Sequence, residues 1–189
     1  NSAGVYYNLG ILNKEIEKYQ KAQDCYEKAI QINPNYTLAY INLGIMFKEQ
    51  GDLEKAINLF QKAINIQPNY ADAHNHLGLA FKKKGEFKKA INCYEKAIKI
   101  NPSNASAYTN LGIALKELGE LEKAINCYEK AIQINPNYSN VYYNYGNLLQ
   151  ELREMRKAKN CYEKLLSLDQ TYKKGYSGYG NLLLKIGQH

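Results

Sequence analysis

The chain has 189 residues, of which 45% are hydrophobic and 23% charged, and its formal net charge is +7. This balance is typical of an ordinary globular protein and argues against a disordered chain. No apolar run approaches the roughly 18 to 20 residues that span a bilayer, and no basic segment followed by an apolar stretch opens the chain, so the sequence predicts neither a transmembrane helix nor a signal peptide.

The positive charge is concentrated in two places. Block 71–104 holds seven lysines against three acidic residues, and 173–189 holds three lysines and no acidic residue, while the rest of the chain is neutral in sum. A local excess of this kind favours an acidic partner but does not by itself indicate a nucleic acid.

Prolines and glycines recur with a step of 34 residues. The positions that keep this step are Pro34, Pro68, Pro102 and Pro136, and Gly10, Gly44, Gly78, Gly112, Gly146 and Gly180. A fixed period is the signature of a repeat array. The sequence therefore predicts a single array over 1–189, made of the repeats 3–36, 37–70, 71–104, 105–138 and 139–172 and a terminal half repeat, 173–189.

Each repeat is predicted to form two helices. In 105–138 the first runs from about 105 to 118 and is ended by Gly119, because glycine readily adopts the left-handed conformation after a helix. The second runs over about 121–134 and ends at Asn135, since the residue before a proline avoids the α region. Gly112 and Ala124 lack bulk where the two helices must approach, and the space around them is predicted to be filled by Tyr108, Leu115, Tyr128 and Ile134. Leucine at Gly112 should therefore destabilise the contact by about 1–3 kcal/mol.

These features resemble the tetratricopeptide repeat (TPR) family. The first helix starts with an aromatic-x-x-Leu-Gly pattern, as in Tyr108–Gly112, and the second holds Ala-x-x-x-aromatic-x-x-Ala, as in Ala124–Ala131. The resemblance covers 3–187. It implies an all-α fold, a right-handed α-solenoid of antiparallel helix pairs, in which the first helices (A helices) line a concave groove. It also implies a non-catalytic scaffold for protein–protein interaction.

Some positions depart from the pattern. Glu17 and Arg153 replace the turn glycine, so we expect those two turns to be tighter or differently capped. His74 replaces the tyrosine of the A helix and is expected to fill a core position. Neither end carries the polar cap that repeat arrays need. We therefore expect a segment of a longer protein, whose apolar ends favour self-association.

Nothing in the sequence predicts catalytic residues, a cofactor or a metal site. His74 and His76 are two residues apart on a helix and point in different directions, so they do not form a metal-binding pair. The four cysteines lie in different repeats at one position of the second helix, too far apart for disulfides. They are predicted to be packing residues in a reducing compartment, cytoplasmic or nuclear. No phosphate-binding loop or nucleophile–base set occurs, so the chain is not predicted to be an enzyme.

A-helix positions that packing does not require form four columns along the array. The asparagine column is Asn8, Asn42, His76, Asn110 and Asn144, and the apolar column is Ile11, Ile45, Leu79, Ile113 and Asn147. The lysine column is Lys14, Lys48, Lys82, Lys116 and Gln150, and the mixed column is Tyr7, Ile41, Asn75, Thr109 and Tyr143.

Together these columns predict a peptide-binding groove. Amides offer both a donor and an acceptor to an extended peptide, and lysines beside them favour an acidic ligand. The predicted peptide-binding residues are Asn8, Asn42, His76, Asn110, Asn144, Asn147, Tyr7, Tyr143, Lys14, Lys48, Lys82 and Lys116. The alternative is that the asparagines only bind neighbouring helices.

Three other functions are considered. The asparagine column resembles the asparagine ladder of the TPR arm of O-linked sugar (O-GlcNAc type) transferases, which implies the substrate-recognition arm of a larger glycosyltransferase. The carboxylate clamp of chaperone cochaperones is absent, because its positions hold residues such as Thr109 and Ile113. The basic turn with Lys82–Lys84, Lys88 and Lys89 allows weak nucleic-acid binding, but its confinement to one repeat favours a solvated turn. No membrane partner is expected.

Overall fold

The computed structural model describes residues 2–187, in which the regular structure is entirely α-helical. In chain order the helices are α1 (Ala3–Glu15), α2 (Tyr19–Ile32), α3 (Thr37–Gln50), α4 (Leu53–Ile66), α5 (Ala71–Lys83), α6 (Phe87–Ile100), α7 (Ala105–Glu117), α8 (Leu121–Ile134), α9 (Ser139–Glu151), α10 (Met155–Leu168) and α11 (Lys173–Ile186). Odd-numbered helices are the A helices, and even-numbered helices are called the B helices. Each A helix from α1 to α9 packs on the B helix that follows it. The fold is therefore an α-solenoid of helix pairs, as predicted.

The helices form two compact units, Asn1–Asn101 with α1–α6 and Pro102–His189 with α7–α11. Within the first unit, α3 packs on α2, α4 and α5. Within the second, α9 packs on α7, α8, α10 and α11. In both units an A helix thus contacts its own B helix and a neighbouring A helix.

Helix ends follow the predicted signals. Helix α8 covers the predicted residues and stops at Asn135, whose φ of −137° and ψ of 92° take the backbone out of the helix. Helix α7 ends at Glu117, one residue before the predicted end, and Gly119 then adopts a φ of 78°. The left-handed turn expected from the glycine is therefore confirmed.

The two turns without glycine differ from the prediction. Glu17 and Arg153 have φ values of 58° and 60°, so they adopt the same left-handed conformation as the turn glycines. The closing hydrogen bond is also the same, since the amide of Lys18 lies 2.8 Å from the carbonyl oxygen of Asn13 and that of Glu120 lies 3.0 Å from that of Leu115. The expectation of a tighter or differently capped turn was wrong, because both turns keep the backbone conformation and the closing hydrogen bond of the glycine turns.

In each helix pair, an aromatic ring of the B helix packs on a glycine of the A helix. A Cβ atom added at the A-helix glycine would lie 2.5–2.7 Å from the nearest ring carbon in the first four pairs. The glycine and ring pairs are Gly10 with Tyr26, Gly44 with Phe60, Gly78 with Tyr94 and Gly112 with Tyr128. These rings are fully buried. The close approach predicted at Gly112 is confirmed, and the contacting group is the Tyr128 ring.

His74 fills the core position predicted for it. Its ring is 7% exposed, and Nε2 lies 2.9 Å from the carbonyl oxygen of Pro68. Tyr142, one of the tyrosines found elsewhere at this position, donates from its hydroxyl to the carbonyl oxygen of Pro136 at the same distance. Histidine therefore replaces tyrosine while keeping the contact with the loop before the A helix.

Candidate functional site

The histidine and cysteine side chains, which could bind a metal ion or act as nucleophiles, were compared with the sequence predictions. Residues 2–187 contain no group of three or more His, Cys, Asp or Glu side chains arranged to hold a metal ion. None of the four cysteines forms a disulfide, and burial raises the pKa of the Cys93 and Cys161 thiols to about 11. A thiol with such a pKa is protonated at neutral pH and is a poor nucleophile. Cys93 and Cys161 are therefore packing residues, as predicted, while Cys25 and Cys127 are partly buried at the same position of their B helices.

No helix among the described residues has the length and apolar character needed to cross a membrane.

In the first unit, the asparagine column contributes to contacts between A helices. The Nδ2 group of Asn42 donates to the hydroxyl oxygen of Tyr7 on α1 at 2.9 Å and also contacts the carbonyl oxygen of Leu38 at 3.3 Å. Asn8 is exposed on the same face. For Asn42, the geometry supports the alternative of binding a neighbouring helix, whereas Asn8 is open to a ligand.

His76 lies flat on a ring of the preceding B helix. Its centroid is 5.6 Å from that of Phe60, with an angle of 18° between the ring planes. The Nδ1 atom is buried, and within the described residues it has no hydrogen-bond partner. Burial, with a contribution from the nearby Lys48, lowers the pKa of His76 to about 4. The side chain is thus neutral at physiological pH and partly buried within the face.

The lysine column is partly neutralised by glutamates on the next A helix. Lys14 on α1 pairs with Glu49 on α3 at 3.4 Å, and Lys116 on α7 pairs with Glu151 on α9 at 2.5 Å. Burial lowers the pKa of Lys48, whose carbonyl oxygen accepts a hydrogen bond from a lysine on α5. Lys14 and Lys116 therefore pair with the next A helix and offer less charge to an acidic ligand than the sequence suggested.

The mixed column does not form a continuous surface. Ile41, Asn75 and Thr109 are 5%, 8% and 0% exposed, so they pack between helices. Its two tyrosines are partly buried, with the Tyr7 ring against Tyr36 at 5.2 Å and the Tyr143 ring against Tyr172 at 5.5 Å. The rest of the predicted set differs as well: Asn110 is buried, while Lys82 and Asn144 are partly buried.

In the second unit, several predicted residues converge on an open cleft. Lys116, Tyr143 and Asn147 line a space of about 400 Å³ between the A helices α7, α9 and α11. Gln150, from the lysine column, also lines the cleft. Sequence reasoning missed the other lining residues, because Glu151 belongs to no column and the columns were not extended into the half repeat. These are Glu151, Lys174, Ser177, Gly178, Asn181 and Lys185.

A buried tyrosine lies beneath this cleft. The Tyr162 hydroxyl is 2.6 Å from Oδ1 of Asn147 and 3.1 Å from Oε1 of Gln150. The equivalent hydroxyls of Tyr94 and Tyr128 are buried with no hydrogen-bond partner among the described residues. The Tyr162 position therefore differs from its counterparts in contacting polar residues of the A-helix face.

The basic turn of the third repeat is paired with acidic side chains. Lys84 contacts Glu54 at 2.5 Å and Glu86 at 3.0 Å, and Lys89 contacts Glu86 at 2.5 Å. The Lys89 ammonium also lies 5.4 Å from the Phe81 ring centroid. Internal pairing removes part of the charge that nucleic-acid binding would need, which favours the solvated turn.

Comparisons with known proteins agree with the repeat pattern. A family model described as TPR repeat matches residues 44–85 and 80–119. Two described as tetratricopeptide repeat match 3–36 and 105–138, and 25–58 and 127–160. Together the matches span residues 3–160. No curated protein matches the chain.

Solved structures share the fold. The crystal structure of MamA is 27% identical, with 87% of this chain and 96% of that chain covered and a TM-score of 0.73. A thermophilic TPR protein of Thermus thermophilus is 20% identical, with 97% and 100% covered and a TM-score of 0.80. YrrB, described as a TPR protein with an unusual peptide-binding site, is 20% identical, with 91% and 89% covered and a TM-score of 0.68.

Proposed function

Because the chain belongs to the tetratricopeptide repeat family, we propose that it is a non-catalytic scaffold whose A helices bind an extended peptide or a helix of a partner protein. The observation that carries this proposal is the open cleft of the second unit, where Lys116, Tyr143 and Asn147 meet. An aromatic wall beside amide donors and acceptors suits a peptide backbone with mixed side chains.

The predicted residues do not contribute equally to this proposal. Asn8 is exposed, and Tyr143 and Asn147 line the cleft, so these three are the strongest candidates for ligand contact. Asn42 and Lys14 already have partners within the helix stack, so a ligand would compete with those contacts. An acidic ligand follows from the local lysine excess and is part of the proposal.

A peptide library selected on the immobilised chain tests the proposal. Peptides recovered should bind the unmodified chain in solution and lose at least about tenfold in affinity to the Tyr143→Ala, Asn147→Ala variant, since aromatic anchors dominate such interfaces. Glu122→Ala on the exposed surface of α8 is the matched control and should leave affinity unchanged. Selected peptides that bind both variants equally would contradict a binding site on the A helices.

Self-association is a second proposal with its own observation. Helix α1 exposes Val5 and Leu12 at 59% and 53%, and α11 exposes Tyr176 and Leu184 at 52% and 68%. Apolar side chains at these levels favour association between copies. Sedimentation velocity over a range of concentrations should show a species larger than the monomer, and a monomer throughout would contradict it.

The glycosyltransferase alternative remains a prediction from the asparagine column. It requires a sugar-nucleotide-binding domain elsewhere in the same gene product, so the full-length sequence tests it directly. A flanking sequence without such a domain would exclude it.

A further inference from the structure

The exposed face of helix α6, in the first unit, carries a row of lysines. Lys88, Asn92, Lys96 and Lys99 are all exposed, and they follow one another at spacings of four, four and three residues. Residues three or four apart lie on the same side of a helix, so these four side chains form one stripe, which we call the α6 row. From its first to its last residue the row extends about 16 Å along the helix axis.

The lysines of the α6 row have no acidic partner within residues 2–187. None of the three forms an ion pair there, whereas the neighbouring Lys89 is engaged by Glu86 at 2.5 Å. Helix α6 holds four lysines and a single acidic side chain, Glu95, which is exposed at the edge of the row. Three ammonium groups along one helix are therefore available to an anion outside the chain.

Two substitutions distinguish this face of α6 from that of the B helix α8. The two sequences differ at three positions, and two of these lie in the α6 row. Lys88 corresponds to Glu122, an exchange that adds two units of positive charge, and Lys99 corresponds to Gln133, which adds one. At the position of Lys99 the other B helices carry glutamine, asparagine or serine. The row is thus a property of one helix and does not follow from the repeat pattern.

We propose that the α6 row binds the phosphate backbone of a nucleic-acid duplex. Lysine ammonium and asparagine amide groups donate to phosphate oxygens, and such contacts do not depend on the base sequence. A duplex carries a phosphate about every 3.4 Å along each strand, so the row is long enough to face about five of them. This surface is separate from the A-helix face, and the inference does not rest on the proposed function.

The surroundings of the row favour a duplex over other polyanions. Tyr94 of α6 is fully buried and Phe87 partly so, which leaves no fully exposed ring on this helix for the bases of a single strand. An anionic bilayer is a broad surface and would also meet acidic side chains beside the row, such as Glu54, which contacts Lys84 just before α6. An acidic protein segment would need apolar or aromatic anchors, which the row does not contain.

Fluorescence anisotropy of the intact chain with labelled duplexes of about 24 base pairs tests the proposal. Two DNA duplexes of unrelated sequence should bind with affinities within about twofold of each other, because phosphates and not bases are contacted. The logarithm of the affinity should fall with the logarithm of the salt concentration with a slope of about −3, since about 0.9 counterion is released per phosphate contact. An RNA duplex of the same length identifies the source, because the tighter of the two duplexes is the one assigned to the row.

Exchange of charge on α6 identifies the surface. Lys88→Glu with Lys99→Gln gives the row the residues of α8 and should weaken duplex binding at least about tenfold at low salt, with a salt slope smaller by about two. Lys21→Glu with Lys28→Gln on α2 is the matched control, because it removes the same charge at two exposed positions of another B helix. Affinity of this control should stay within about threefold of the unmodified chain, since salt screens charges that lie outside the row.

The reverse exchange on α8 should create a second row. Glu122→Lys with Gln133→Lys gives α8 the exposed residues of α6 and should tighten duplex binding by at least about threefold. All the exchanged residues are exposed, so circular dichroism should show unchanged helix content in every variant.

Three results would overturn the proposal. The first is equal affinity of the unmodified chain and the Lys88→Glu, Lys99→Gln variant, and the second is an equal loss in the α2 control, which would assign binding to net charge alone. The third is binding to phosphatidylserine vesicles, or to a single strand, without binding to either duplex, which would assign the row to another polyanion.

Discussion

Glu17 and Arg153 show how strongly the repeat constrains a single residue. Both residues adopt a left-handed backbone conformation, which costs non-glycine residues roughly 1–2 kcal/mol. Their repeats keep the turn because the packing of two helices depends on it. The sequence revealed the missing glycine but not the conformation, since local propensity and tertiary packing disagree at these positions.

Replacing these residues by glycine should stabilise the chain. Glu17→Gly and Arg153→Gly remove the steric cost of a positive φ, and the added flexibility of the unfolded chain offsets part of it, so each should raise the free energy of unfolding by about 0.5–1 kcal/mol. Chemical denaturation measures the change. Gly119→Arg, at a φ of 78°, is the reverse control and should destabilise. Unchanged stability in both glycine variants would mean that the strain is relieved elsewhere.

His76 should make stability depend on pH. Its pKa of about 4 in the folded chain lies below the ordinary histidine value of about 6.5, so the unfolded chain binds the proton more strongly. Stability is therefore complete above about pH 6.5 and decreases as the pH falls toward 4. Between pH 7 and pH 5 the loss from this group should be about 1–2 kcal/mol.

The variant His76→Asn, which carries the usual residue of the asparagine column, tests this effect. Lys48 and Lys14 disfavour the protonated ring and Asp72 and Glu49 favour it, and all four remain in the variant. Denaturation at pH 7 and pH 5 should show a smaller pH dependence for the variant. The same slope in both proteins would assign the pH dependence to other groups.

The contacts of the candidate site were the least predictable part of the molecule from sequence. Asn42 and Tyr7 belong to columns that the period identifies, but their hydrogen bond joins side chains 35 residues apart and depends on how adjacent A helices are offset. The same offset pairs Lys116 with Glu151. Periodicity places a residue on a face, whereas its partner depends on three-dimensional packing.

At the scale of helices, prediction was most successful because the signals are local. Helix α8 begins and ends at the predicted residues. Each signal lies within a few residues of the helix end that it predicts. The signals are the apolar spacing, the turn glycine and the proline after the B helix. Tyr128 was expected among four residues that fill the space around Gly112, but spacing alone does not identify which of the four contacts the glycine.

Glycines of the same column should differ sharply in their tolerance of alanine. A Cβ at Gly112 would lie 2.7 Å from the Tyr128 ring, whereas one at Gly180 would have no described neighbour within 4 Å. Gly112→Ala should therefore destabilise by about 1–3 kcal/mol from overpacking. Gly180→Ala should be neutral or stabilising by up to about 1 kcal/mol, because alanine favours the helix.

Thermal unfolding of both variants measures the difference, and circular dichroism checks that helix content is unchanged. Equal effects at the two glycines would show that the ring contact does not determine the cost.

At the scale of the whole molecule, stability should be unevenly distributed along the chain. Helix α11 packs on α9 and α10 and exposes several large apolar side chains, while α9 is contacted by four other helices. Elements with fewer buried contacts open more readily. That residues 1–189 form a single array stays a prediction, which rests on the uniform period of the sequence. The period does not measure how strongly each helix is packed against its neighbours.

Native-state hydrogen exchange should show lower protection for α11 than for α9. Leu182 is fully buried, so Leu182→Ala should lower the protection of α11 further, by about 2–5 kcal/mol or to the limit of detection. Leu184, which is 68% exposed, provides the control, because Leu184→Ala should leave protection nearly unchanged. Equal protection across α9 and α11 would contradict the ranking.

The packing of an aromatic ring on a glycine within each helix pair also has a consequence for the duplication of repeats. Both halves of the contact lie within one repeat, sixteen residues apart, as at Gly112 and Tyr128. Tandem duplication of one repeat therefore copies both the glycine and the ring. The two helices of the new repeat can pack on each other without substitutions in other repeats. Other A-helix positions differ between repeats while the glycine and the aromatic ring recur, as Asn147 differs from Ile113. The contact makes lengthening by duplication compatible with sequence change at other positions of the same helices.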